Sequence, residues 1–205
     1  MTQKLAETEY PIHDFIRRRW SPRAFADRPV EQEKLLTLLE AARWAPSSYN
    51  HQPWSFIVAT KDDPTEHQRL LSTLVEFNQG WAKNAPVLIL AVAKLHFDDG
   101  RVNRHALHDV GLALENLVIQ ATVFGLSVHQ IAGFDVESAR KQYNIPEGYE
   151  PSTALTVGYP GDPQSLSDGL RERELAPRIR KPLNQLVFSG EWGKTSPLLA
   201  VTSNQ

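Results

Sequence analysis

Between Glu31 and Trp44 the apolar residues Leu35, Leu38, Leu39 and Ala42 recur at three- and four-residue spacing, which predicts an amphipathic helix. Pro46 then closes it. Trp54 to Thr60, "WSFIVAT", is aromatic and β-branched and reads as a strand. A second helix is expected from Asp63 through Phe77. Asp63 is its candidate cap, Pro64 its first residue, Glu66 sits three after the cap, and Leu70, Leu71, Leu74 and Val75 form its apolar face. "PVLILAV", 86–92, is an unbroken apolar run, the signature of a strand buried on both faces. The longest helix is expected over 102–125, apolar nearly all round in its second half, with Gly125 as its stop. "LSVHQIA" reads as a strand, Asp135 as the cap of a short helix running to Tyr143, and "STALTVGY", 152–159, as another strand.

With a short N-terminal helix, these elements mix helices and strands without a regular βαβ beat. The fold class predicted is α+β, with about four strands and a long central helix. "PGDPQSLSDG" reads as an exposed turn region. The tail, about 178–205, shows no firm period and reads as an arm that packs on a partner subunit.

Composition narrows the picture. The 205 residues suit a single domain, 1–205, and 41% apolar with 22% charged residues suffices for a packed core. The net charge of −2 offers no bulk attraction to nucleic acid or an anionic membrane. There is no cysteine, which excludes disulfides, thiolate metal sites and a cysteine nucleophile. The first residues, "MTQKLAETEYPIHDF", carry no apolar leader, and no apolar run approaches the ~20 residues of a membrane span. A cytoplasmic protein is expected.

Several familiar motifs fail. G-x-G-x-x-G, H-E-x-x-H and G-x-S-x-G are absent. "GKT", 193–195, lacks the leading glycine of a phosphate loop, because Phe188 stands there. His105 and His108 lie one helical turn apart, but no third ligand marks a metal site; Asp109 reads as a structural partner for one of them.

Two stretches do carry chemistry. "RRRWSPRAF", 17–25, holds four arginines within seven positions, and "PRIRKP" holds Arg178, Arg180 and Lys181. Guanidinium groups offer planar paired donors suited to phosphate oxygens, and Ser21 adds a hydroxyl. Brought together, the two clusters would clamp a phosphate; apart, they are two solvated basic faces. The other stretch is "APSSYNHQPW", Ala45 to Trp54. Ser47, Ser48, Asn50 and Gln52 offer donors and acceptors that match the edge of a uracil-like ring, and Pro46 and Pro53 stiffen the backbone between them. A polar turn satisfying its own backbone accounts for one or two such residues, less readily for four.

"RRRWSPRAFADRPV", "AARWAPSSYNHQPWSFIV", "IPEGYEPSTALTVGYPGD" and "RKPLNQLVFSGEWG" resemble, in order and register from about Phe15 to Gly193, the FMN-dependent nitroreductase family. The resemblance implies a nitroreductase-like fold with a central, mainly antiparallel sheet and a long buried helix. It also implies an intertwined homodimer with FMN at the subunit interface. By matched position, Arg19, Ser21 and Arg23 would be phosphate-side contacts, completed by Arg180 from the arm, with Trp20 between them where relatives often carry a smaller or polar residue. Arg17 and Arg18 would be ordinary surface charges. Pro46, Ser47, Ser48, Asn50 and Gln52 would reach the flavin of the other subunit. Asn78 would contact the ring, and the backbone of Ile131, Ala132 and Gly133 would pass near N5. Gln130 and Ala132 stand where many relatives have proline or glutamate, a departure on the N5 side.

The chemistry implied is ping-pong hydride transfer from NADH or NADPH through flavin N5 to nitroaromatics, quinones or similar small acceptors, with no side-chain base or nucleophile. Arg23 or a neighbouring amide would stabilise the charge of reduced flavin. Other uses of the scaffold stay open at this point: a dehydrogenase or dehalogenase, or a non-catalytic FMN-binding dimer. A nucleic-acid-binding role through the arginines is disfavoured by the net charge. The sequence names neither the physiological acceptor nor the nicotinamide preference.

Overall fold

The computed structural model describes residues 4–200; residues 1–3, and 201–205 of the expected arm, lie outside the described residues. The order of its parts follows from one strand. In β2 (Val87–Lys94) every side chain from Val87 to Ala93 is buried. Side chains alternate across a strand, so Val87, Ile89, Ala91 and Ala93 enter one core while Leu88, Leu90 and Val92 enter another. A strand buried on both faces must lie inside a three-layer structure. β2 pairs antiparallel with β1 (Trp54–Thr60) on one side and β4 (Tyr149–Gly158) on the other, and β3 (Ser127–Ile131) follows β4. The sheet order is β1-β2-β4-β3, with every pairing antiparallel. β4 begins three residues earlier than the sequence suggests, despite Pro151. Pro151 sits at a register shift opposite Ala91 and Val92, where a ladder tolerates a missing N–H.

One face of the sheet is covered by α2 (Gln32–Arg43) and α5 (Ala106–Val123), whose Leu35, Leu38, Leu114 and Leu117 pack with Ile89 and Val128. The other is covered by α3 (Pro64–Leu71), α4 (Glu76–Ala82) and α6 (Val136–Tyr143), through Leu70, Trp81 and Ala139. The short α1 (Asp14–Arg18) lies near α5, and α7 (Asp168–Leu175) follows β4. This is the expected α+β class with a mainly antiparallel sheet.

Local chemistry explains most boundaries. Asp63 caps α3 by accepting from the Thr65 and Glu66 amides, both at 3.1 Å, with Pro64 in the first turn. Asp135 caps α6 through Ser138 at 2.9 Å. Gly125, at φ 70°, ends α5; Leu126 N–H returns to the Ala121 carbonyl at 2.9 Å, the wrapped bond of a glycine-terminated helix.

Two expectations are corrected. The helix expected over 63–77 is broken. The Thr73 hydroxyl bonds the Leu70 carbonyl, the Thr73 carbonyl accepts from Asp135, and Val75 donates to Gly133. Pairing with the segment after β3 wins over helix continuation, and α4 starts afresh. The helix expected over 102–125 begins only at Ala106, because Val102 bridges His96 and Asn103 donates to the Leu95 carbonyl. Along α5, Leu107, Gly111 and Glu115 form an open stripe at four-residue spacing, so the helix is buried on one side within the single chain.

The arm from Ala176 to Ala200 contains two turns of 3₁₀ helix and a small hairpin closed by a Phe188–Thr195 bridge. Ile179, Trp192 and Leu198 are 81%, 94% and 78% exposed. Among the described residues no helix is long and apolar enough to cross a membrane.

Candidate functional site

After α1 the chain runs extended. Ala24–Ala26 lies against Tyr159–Gly161: Gly161 N–H donates to Ala24 at 2.8 Å and Ala26 N–H to Tyr159 at 2.9 Å. Arg18, Trp20, Pro22, Ala24 and Ala26 line a cavity of about 740 Å³ shared with Leu126, Pro160 and Leu175. Arg19, Ser21 and Arg23 do not line it, as the two-residue period of an extended chain requires. Trp20 therefore lies on the face away from Arg19 and Arg23, with Lys4 Nζ 4.9 Å from its ring centre.

The basic ends of the chain meet. Arg178 Nη1 donates to the carbonyls of Lys4 (2.9 Å) and Arg17 (2.8 Å), which ties the root of the arm to the N-terminal segment. Arg19 Nη1 donates to Ser21 Oγ at 3.3 Å. Burial pushes the Arg19 pKa down; nearby Glu115 opposes this and nearby Arg180 adds to it. Arg178 is lowered by burial and by the charges of Arg19 and Arg180. The charges of Arg19, Arg178 and Arg180 thus act on one another, while their hydrogen-bond partners among the described residues are a hydroxyl and backbone carbonyls. Such a cluster is poised for an anion. Arg18 pairs instead with Asp14 on α1.

Four residues on, Arg23 lies with its guanidinium 5.8 Å from the Trp81 ring centre. Its Nε is buried and has no hydrogen-bond partner among the described residues. Trp81 Nε1 donates to Asn78 Oδ1 at 3.2 Å, and Asn78 Nδ2 donates to the Gly133 carbonyl at 2.9 Å. The fold thus links Arg23, Asn78 and the Ile131–Gly133 segment, up to 110 positions apart in sequence, in one continuous row. A Cβ on Gly133 would stand 2.5 Å from Asn78 Nδ2, so a larger residue would displace the Asn78 amide from the Gly133 carbonyl. Ile131 points into the core, whereas Gln130 and Ala132 are exposed.

The Pro46–Gln52 loop is held stiffly by means the sequence does not announce. Tyr49, Asn50 and Gln52 all have positive φ, at 52°, 54° and 51°. Left-handed conformations at non-glycine residues cost of order 1–3 kcal/mol each and persist only when the surroundings enforce them. The enforcing bonds are visible: Ser47 Oγ accepts from Gln52 N–H at 3.0 Å, Gln52 Nε2 donates to the Asn50 carbonyl at 3.0 Å, and Asp109 Oδ2 accepts from Ser48 N–H at 3.0 Å. Asp109 is 2% exposed; its observed partner is this loop, not a neighbouring histidine. Tyr49 is 92% exposed and meets Phe97 edge-on, 6.0 Å between centres. Pro46 and Asn50 are also exposed. Asp109 precedes Glu115, the neighbour of Arg19, by about 9 Å along α5. Among the described residues the loop's hydrogen bonds run to α5, to the His96 carbonyl and to itself, not to the arginines.

Sequence reasoning passed over His129, Asp109 as the loop anchor, and Glu174. Glu174 Oε1 accepts from Arg23 and Ala24 N–H at 2.9 and 3.1 Å. Its stretch also holds Asp168 and Glu172, and no sequence signal sets Glu174 apart from them. His105 and His108 have ring centres 6.3 Å apart, and the described residues contain no group of three or more potential metal ligands.

A family model for the nitroreductase family matches residues 16–159. The chain belongs to the nitroreductase family. It is similar to the major NAD(P)H-flavin oxidoreductase of Aliivibrio fischeri, 37% identical over 216 residues, covering 86% of this chain and 96% of that protein. It is also similar to a putative NADH dehydrogenase/NAD(P)H nitroreductase of Methanothermobacter thermautotrophicus, 27% identical over 163 residues, covering 77% and 81%. Among solved structures, an oxidoreductase containing FMN matches with a TM-score of 0.89 at 35% identity, covering 95% of this chain and 100% of that one. The nitroreductase-like fold expected from the resemblance is the fold observed.

Proposed function

We propose that the protein is an FMN-dependent NAD(P)H oxidoreductase that reduces nitroaromatics, quinones or similar flat acceptors, working in the cytoplasm as a homodimer. The observation that carries this reading is the meeting of Arg19, Arg178 and Arg180 beside Ser21, at the head of a row leading through Arg23 to Asn78 and Gly133. A cationic end suits a phosphate, and an amide-lined end with a glycine backbone suits a flat ring. The unpartnered Arg23 Nε is a donor such a ligand can satisfy.

Bound FMN would supply the redox chemistry, accepting hydride from NADH or NADPH and passing it to the acceptor in a ping-pong cycle. The chain's residues bind and orient. Arg19, Ser21 and Arg180 would hold the phosphate, while Arg23 would place positive charge where reduced flavin gathers negative charge. Asn78 would fix the Gly133 backbone beside the ring, with Ile131 and Ala132 carrying it into place. The strained loop, with Pro46, Ser47, Ser48, Asn50 and Gln52, would line the ring of the neighbouring copy's FMN. Its single-chain exposure, the open stripe on α5 and the apolar side chains on the arm support that assembly. The whole described chain would then act as one domain whose arm packs on the partner.

Absorbance of the purified protein tests the reading. A yellow preparation, bleached anaerobically by NADH or NADPH and recoloured by a quinone, is expected. A colourless protein that FMN cannot reconstitute overturns it; a yellow one that neither nicotinamide bleaches reduces it to FMN binding alone.

A further inference from the structure

The peptide unit joining Pro22 to Arg23 is gripped at both edges. Its N–H donates to both oxygens of Glu174, at 2.9 and 3.0 Å. Its carbonyl lies 3.0 Å from His129 Nδ1. A carbonyl only accepts, so Nδ1 carries the hydrogen and the imidazole donates. The C=O and N–H of a trans peptide point in opposite directions, so β3 and α7 close on this plane from opposite sides. The partners are 107 and 151 residues away in sequence. Glu174 is buried, and His129 packs on Trp81 with ring centres 4.7 Å apart. Burying a carboxylate and an imidazole is costly unless their hydrogen bonds are made, and these bonds form only when the extended segment follows this one course.

The orientation of that plane sets the direction of Arg23, which follows it, and through the ring-fixed φ of Pro22 that of Ser21. We propose that His129 and Glu174 are positioning residues for the cofactor, a two-sided clamp that aims Ser21 and Arg23 at FMN. The inference rests on the FMN reading above. Neither clamp residue contacts the ligand in this scheme; both hold the shared peptide, and Glu174 also accepts from the next N–H, that of Ala24.

The test is FMN titration of the FMN-free protein, with the midpoint potential of the bound flavin as second readout, across wild type, H129N, H129Q, H129L and E174A. An asparagine amide nitrogen falls near the place of Nδ1, and a glutamine's near Nε2. H129N should therefore keep FMN affinity within about threefold of wild type, while H129Q, H129L and E174A weaken it about tenfold, the loss of one net hydrogen bond. The midpoint potential should shift in H129Q and stay in H129N. Where H129L or E174A fails to fold, the asparagine–glutamine contrast decides. Equal affinity and potential in H129N and H129Q overturn the clamp while leaving the FMN reading intact. A wild type that does not bind FMN overturns both.

Discussion

At the residue scale, the decisive groups are charged or polar side chains held where water is scarce. Arg19 is half-buried beside Arg180, and an anion relieves that crowding. Arg19→Ala should weaken FMN binding 10- to 100-fold, the range for a lost charge-assisted hydrogen bond, measured by titration of the FMN-free protein. His129 adds a pH dependence. Burial, with Arg23 beside it, pushes its pKa down to about 4. The unfolded chain takes up the proton near 6.5 and the folded chain resists it, so acid favours unfolding. Stability should fall as pH drops from about 6.5 to about 4, by about 3 kcal/mol at most from this group. His67, also lowered by burial, gives a slope of the same sign. Urea unfolding of H129N beside wild type isolates the His129 share: the slope should be shallower in the variant.

At the scale of elements, two loops owe their shape to contacts from far along the chain. Asp109, early in α5, satisfies the Ser48 amide at the root of the strained loop. Asp109→Ala leaves that donor unpaired and should cost about 2 kcal/mol. Asp109→Asn keeps an acceptor there and should cost less, as thermal unfolding would report. The break between α3 and α4 serves the segment after β3, because the chain leaves the helix to bond Gly133 and Asp135. Gly133→Ala would press a methyl group into Asn78 and Val75. About 1–3 kcal/mol of strain is expected, with weaker FMN binding, since the Asn78 amide that must give way is the one bonded to the Gly133 carbonyl at 2.9 Å. A variant with unchanged Tm and FMN affinity would show that Asn78 can swing away.

At the scale of the whole molecule, the single chain exposes what a stable monomer would cover. Leu107 and Gly111 on α5, and Ile179, Trp192 and Leu198 on the arm, are open to solvent. Removing the chain after Ala176, or substituting Leu107→Arg, should convert a dimer into single chains in light scattering and release bound FMN. Retention of both the dimer and the flavin in the truncated form would exclude the arm from the interface.

Much of this was legible in the sequence where the signal is local. The caps at Asp63 and Asp135, the stop at Gly125 and the two-faced burial of β2 all follow from neighbours within a turn or from side-chain period. The helices α4 and α7 left no such trace: each is short, and α7 buries only Glu174, so neither shows an apolar face. The candidate site divides in the same way. Residue type and spacing singled out the arginines and the amide-rich loop, because phosphate recognition and ring-edge matching require particular donor groups. Only the tertiary structure placed Arg178 and Arg180 beside Arg19, set Trp20 on the opposite face, and selected His129, Asp109 and Glu174 to hold backbone in place. Those three bonds reach across 61 to 151 positions of the chain. A buried polar side chain finds its partner through the path of the whole backbone, and no window of sequence contains that path.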